Sequence, residues 1–150
     1  MIDSTRGGLP VVRELRLVYS HPATGPLPKV GQPSDAATLL RPFLALEAVE
    51  VCVALLLNAR HRVIGIHVVG RGTLDSCIVH PRDVFKAALL ANAAGVIVCH
   101  NHPSGDPTPS PEDRTLCARL RDSGRILGVH LLDFLIVTDD GHYSFKETGL

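Results

Sequence analysis

A continuously apolar stretch, Gly95-Val96-Ile97-Val98, runs straight into the polar sequence Cys99-His100-Asn101-His102-Pro103-Ser104-Gly105. An apolar run without alternation reads as a central strand covered on both faces, which places this chain among layered folds. Residues two apart on an extended chain share a side, so His100 and His102 point the same way. Imidazole nitrogen is a common zinc ligand, and a carboxylate can complete the protein's share of a site. Asp113, at the start of the next helix, is the nearest good candidate. Two histidines and an aspartate leave one tetrahedral position open for water, the feature that separates a catalytic zinc from a structural one.

The rest of the chain supplies layers for that strand. Val11 to Tyr19 alternates as a strand, and Pro22 to Pro33 is a Pro/Gly-rich connector, so residues 1–33 are expected to precede a single domain over 34–150. Ser34-Asp35 is expected to cap a helix through about Leu44. Glu50 heads an apolar run to Leu57, which turns at Asn58-Ala59-Arg60-His61 into a second strand from about Arg62 to Val69, forming a hairpin. A helix starts at His80-Pro81, with Val84, Phe85, Ala88, Leu89 and Asn92 at helical spacing. Ser110 to about Ser123 is the next helix, and Leu127 to Val137 a strand broken near Leu132-Asp133. A turn at Asp139-Asp140-Gly141 leads to a short strand, His142 to Phe145. The expected class is α/β (α+β), with a mixed central sheet flanked by helices.

Lysine plus arginine and aspartate plus glutamate number 15 each. No global field therefore attracts nucleic acid or an anionic membrane. The longest apolar runs are too short to span a bilayer, and no basic segment precedes an apolar one at the N-terminus. Cys52, Cys77, Cys99 and Cys117 lie scattered without a CxxC pair and read as buried small hydrophobes in a cytoplasmic protein.

The run His100-Asn101-His102-Pro103-Ser104-Gly105-Asp106, then Pro109-Ser110 and Asp113, resembles the RadC family of JAB/MPN metalloprotein domains. Residues 103 to 112 separate His102 from Asp113, matching the His-x-His, ten residues, Asp spacing of the wider JAMM pattern. Asn58 to Val63, Gly72-Thr73-Leu74, His80 to Val84, Leu131-Leu132-Asp133, Ser144-Phe145 and Gly149-Leu150 are similar as well. The resemblance covers about residues 35 to 150. It implies a layered architecture of cytidine-deaminase type and one Zn2+ per chain, held by His100, His102 and Asp113. It further implies Glu50 as general base and Ser110 as a donor to the oxyanion. The activity implied is hydrolysis of an amide in a peptide or an isopeptide-linked protein. The alternatives are a DNA repair, recombination or defence protein acting on nucleic acid, and a non-catalytic scaffold. Full-length relatives usually carry a helix-hairpin-helix segment ahead of this domain, for which this chain is too short.

Each site residue also has a plainer explanation. Ser110-Pro111-Glu112-Asp113 is a good helix start, with serine at the N-cap and an acid at N3. Glu47 rivals Glu50 by position, and His67 occupies a place where many relatives carry an acid. Asn101 should face away from the metal and hold the loop by hydrogen bonds, and Cys99 should pack in the core. Arg114, Arg121 and Arg125 fall on one helical face, a stripe compatible with nucleic acid but equally with a solvated surface. His61, His80, His130 and His142 have no ligand spacing. No GxxxxGK[ST] or GxGxxG motif appears, nor the H-x-E with P-C-x-x-C of a zinc deaminase.

Overall fold

The computed structural model describes residues 17–21, 23–72 and 78–149. Its elements are α1 (Pro33–Leu44), β1 (Val51–Leu57), β2 (Val63–Arg71), α2 (Pro81–Leu90), β3 (Gly95–Asn101), α3 (Pro111–Leu127), β4 (His130–Val137) and β5 (His142–Ser144). One mixed sheet has the order β2-β1-β3-β4-β5, antiparallel except for the parallel β3–β4 pair. β1 and β3 are buried along their whole length, as their unbroken apolar sequence requires. Alternate residues feed two cores. Cys52, Ala54, Val96, Val98, Phe134 and Ile136 meet α2 and α3 through Val84, Phe85, Cys117 and Leu120. Val53, Leu55, Ile97, Cys99 and Leu135 meet α1 through Ala36, Ala37, Leu40 and Leu44. The domain is therefore a sheet between one helix and two.

The hairpin and the central strand lie where the sequence puts them, and the break in the last long strand is a bulge at Leu132 between the pairs Val96–Leu131 and Ile97–Asp133. Asp133, which follows the bulge, is buried and ties down the C-terminal turn. Its carboxylate accepts from the Phe134 and Lys146 N–H groups and from the Ser144 hydroxyl, at 2.8, 3.0 and 2.7 Å.

Three expectations need correction. α1 starts at Pro33 rather than behind a Ser34-Asp35 cap, because Asp35 reaches back to accept from the Gly31 and Gln32 N–H groups at 2.8 and 3.0 Å. α3 continues past Ser123 to Leu127, so the apolar Ile126 and Leu127 belong to its exposed last turn and not to a strand. It stops at Gly128, which adopts the left-handed conformation (φ 71°) that glycine takes without strain. On α2, Leu89 is exposed and Ala87 takes the inward place. The strand expected over Val11 to Tyr19 lies mostly outside the described residues, and Leu17 to Tyr19 form no regular element. The connector is anchored: Lys29 bridges to Arg62, and Val30 is buried against α1. Among the described residues no helix is long and apolar enough to cross a membrane.

Candidate metal centre

The centre forms where β1 and β3 meet the start of α3. Cys52 pairs with His100 across the antiparallel β1–β3 ladder. Glu50 lies two residues before Cys52 and His102 two beyond His100, so strand periodicity sends both toward the α2/α3 side of the sheet. Glu50, His100 and His102 bring one donor atom each to within 4.8 Å of one another. Asp113 comes from the first turn of α3, its Oδ1 at 3.1 Å from His100 Nε2 and its Oδ2 at 3.5 Å from His102 Nε2. These four groups, with Ser110, line a cleft of about 800 Å³.

Local bonds fix Ser110, Asp113 and His102 and the backbone around Glu50. Ser110 Oγ accepts from the Asp113 N–H at 3.1 Å, and Asp113 Oδ2 accepts from the Ser110 N–H at 2.8 Å, a reciprocal capping box. The cap and the centre therefore share the same carboxylate. The ring of His102 lies at 2.8 Å, through Nδ1, from the Asp106 carbonyl oxygen. An N–H donated there leaves Nε2 with a lone pair facing the cleft. Asn101 points to the opposite side, as its place between the histidines predicts. Its Oδ1 accepts from the Val51 N–H at 2.7 Å, and its Nδ2 donates to the Val49 carbonyl at 3.0 Å. Both residues flanking Glu50 are thus pinned to the strand that carries the histidines, and the Glu50 carbonyl accepts from the Gly72 N–H at 2.8 Å. Replacing Asn101 with alanine strands two backbone groups and is expected to destabilise the fold by about 2–4 kcal/mol, read by urea unfolding. A loss under about 0.5 kcal/mol would show that the two bonds contribute little.

The decisive atom is Nε2 of His100. It is buried and forms no hydrogen bond with any described group; the Asp113 oxygen at 3.1 Å satisfies the distance but not the direction. A buried ring nitrogen without a hydrogen bond is costly unless something else takes its lone pair. The 3.1 and 3.5 Å spacings also bracket the edge of about 3.3–3.4 Å expected when tetrahedral ligands sit about 2.0–2.1 Å from zinc. The donor set, two imidazoles and a carboxylate, suits that ion.

Charge is concentrated here. Burial pushes the Asp113 carboxyl up, but the two imidazoles and the Ser110 N–H outweigh it and hold the group well below the usual carboxylate range. The same carboxylate raises His102 above an ordinary imidazole, against the opposing effect of burial. A metal held here would need the neutral ring, so protons and metal would compete for His102. Zinc affinity is expected to fall about tenfold per pH unit below the raised His102 pKa, as measured by chelator competition across that range. A flat profile there would mean that His102 does not bind the ion.

Other residues singled out in the sequence lie elsewhere. Glu47 pairs with Arg71 at 2.5 Å, and it is Glu50 whose donor atom lies with those of the two histidines. His67 sits opposite Ala54, its Nε2 at 3.2 Å from the Asp83 carbonyl oxygen. Cys99 is buried on the α1 side, as alternation predicts. Of the α3 arginines, Arg114, Arg121 and Arg125 are absent from the cleft lining, whereas Arg119, off that stripe, belongs to it. Ile78 also lines the cleft and escaped the sequence reading. Arg119 lies three residues beyond Leu116 on one helical face, but nothing in the pattern marked that face as the one along the cleft, and nothing pointed to Ile78.

The RadC-like JAB domain family matches residues 30–150. The chain belongs to that family. A UPF0758 protein of Clostridium beijerinckii is 43% identical over 122 residues, covering 81% of this chain and 53% of its own length. One from Thermotoga maritima is 52% identical over 100 residues, covering 67% of this chain and 45% of its own. Another, from Shouchella clausii, is 45% identical over 142 residues, covering 95% and 58%. This RadC-like chain thus spans about half the length of the curated relatives it matches. The names of those relatives assign no activity.

Proposed function

We propose that this RadC-like domain is a zinc-dependent hydrolase of amide bonds, cleaving a peptide or an isopeptide-linked protein. The observation that carries this reading is the buried, unbonded His100 Nε2, set among His102, Asp113 and Glu50 at the foot of an open cleft. His100, His102 and Asp113 would hold the ion. When bound, zinc supplies a water whose pKa is about 7 and polarises a carbonyl as a Lewis acid.

The chain's own groups do the rest. Glu50, held at both flanks by Asn101, takes the proton of the attacking water and returns it to the leaving amine. The Ser110 oxygen already accepts from the Asp113 N–H, so its O–H hydrogen remains to donate to the oxyanion, a contribution of about 2.7–4 kcal/mol to the barrier. Asp113 takes the ligand role rather than the base role because it is buried, fixed by the Ser110 N–H and close to both imidazoles.

A nucleic-acid substrate has less support, since the cleft lining carries one arginine against Glu50, Glu112 and Asp113. The buried thiols Cys52, Cys99 and Cys117 suit a reducing compartment such as the cytoplasm; burial pushes Cys117 up to about 11. The test is elemental analysis of protein purified without added metal, followed by a peptide and isopeptide cleavage screen. About one zinc per chain with cleavage supports the reading. No zinc even after reconstitution would make the domain a non-catalytic scaffold.

A further inference from the structure

The cleft extends beyond the metal centre along one face of α3. Glu112, Thr115, Leu116 and Arg119 line it, spaced i, i+3, i+4 and i+7, which is a single helical stripe. Ile78, 97% exposed, lines the same cleft with an apolar side chain. Among the described residues Arg119 is the one arginine or lysine of the lining. It is exposed and pairs with no carboxylate of the described residues, whereas Arg71 and Lys86 are held by Glu47 and Asp83.

Arg119 lies six positions after Asp113, an axial rise of about 9 Å at 1.5 Å per helical residue. An extended peptide advances about 3.3 Å per residue, so that length takes three residues. A chain lying in the cleft with its scissile bond at the metal centre would pass an intervening side chain over Leu116 and Ile78 and bring its third residue to Arg119. We infer that Arg119 is a specificity determinant, recognising a carboxylate about three residues from the scissile bond of a peptide whose intervening residue is apolar. This rests on the hydrolase reading for the location of the scissile bond. A polyanion fits less well, because Glu50, Glu112 and Asp113 line the same cleft as the single arginine.

Fluorescent decapeptides with zinc-loaded protein provide the test, read by anisotropy. One peptide carries leucine and, two residues on, glutamate; companions carry glutamine or lysine there. A further pair ends at that residue with a free carboxylate or an amide, to separate a side-chain from a chain-terminal source. A ten-nucleotide single strand is the polyanion control. The glutamate peptide, the free-carboxylate peptide or both should bind about five- to tenfold more tightly than their neutral partners. Arg119→Ala should erase that preference, and Arg119→Glu should reverse it toward lysine. An unchanged preference in Arg119→Ala, no measurable peptide binding, or tighter Arg119-dependent binding of the DNA strand would each overturn the proposal. Cleavage of the same peptides is scored separately. An Arg119-dependent preference without cleavage would sink the hydrolase reading and leave the carboxylate site, whereas cleavage without charge preference would do the reverse.

Discussion

Replacing Glu50 with glutamine is expected to leave zinc content at the wild-type level and to lower amide hydrolysis by about 10²–10⁴-fold, the range for a positioned general base. Glutamine has the same shape, and the backbone that places it is held independently of the side chain. Asn101 fixes Val49 and Val51, and the Gly72 N–H holds the Glu50 carbonyl. What changes is the chemistry, since a neutral amide cannot take up the proton of the attacking water. His102→Ala, by contrast, should lose both zinc and hydrolysis. The pair of variants decides between two roles that distance alone leaves open, because the donor atom of Glu50 lies within the same 4.8 Å group as the imidazoles. If Glu50→Gln lost its zinc, Glu50 would be a ligand and the base would have to be sought elsewhere; a normal rate in that variant would end its catalytic assignment.

The parts of this domain legible in the sequence are those governed by local periodicity. An unbroken apolar run became the doubly covered β3, and two-residue alternation separated His100 and His102 from Cys99 and Asn101. The Ser110–Asp113 spacing gave a helix start that is also one wall of the centre. Elements whose limits depend on tertiary context were less legible. Leu127 looks like the start of a strand, but the stop at Gly128 keeps it on an exposed helical turn. The role of Asn101 was half visible: alternation showed which way it faces, but not that its partners flank Glu50 some fifty residues earlier. Arg119 lies off the Arg114, Arg121 and Arg125 stripe, and its place in the cleft depends on which face of α3 lies along it, which only the packing decides.

Asp113 carries two roles on one carboxylate, and substitutions can separate them. As a cap it accepts from the Ser110 N–H; as a ligand its charge faces two imidazoles. Asp113→Asn retains an acceptor for the cap and loses the charge, whereas Asp113→Ala loses both. The metal-free asparagine variant should therefore keep the cap but lose the stability that the charge draws from the imidazoles, while the alanine variant should fall by about a further 1 kcal/mol, the usual worth of a cap. Zinc separates them differently. At a free concentration one hundred times the wild-type Kd, the ion should stabilise the wild type by about 2.7 kcal/mol. A weakening of metal affinity by about 10²-fold or more, at or beyond the upper end for an outer hydrogen-bond partner, should remove most of that increment in both variants. Thermal unfolding with and without zinc reads all four quantities. Full zinc-induced stabilisation in Asp113→Asn would reduce Asp113 to a helix cap and leave Glu50 as the carboxylate that binds the ion. The same result would reassign the proton transfer, because a carboxylate committed to the metal is not the one that shuttles protons.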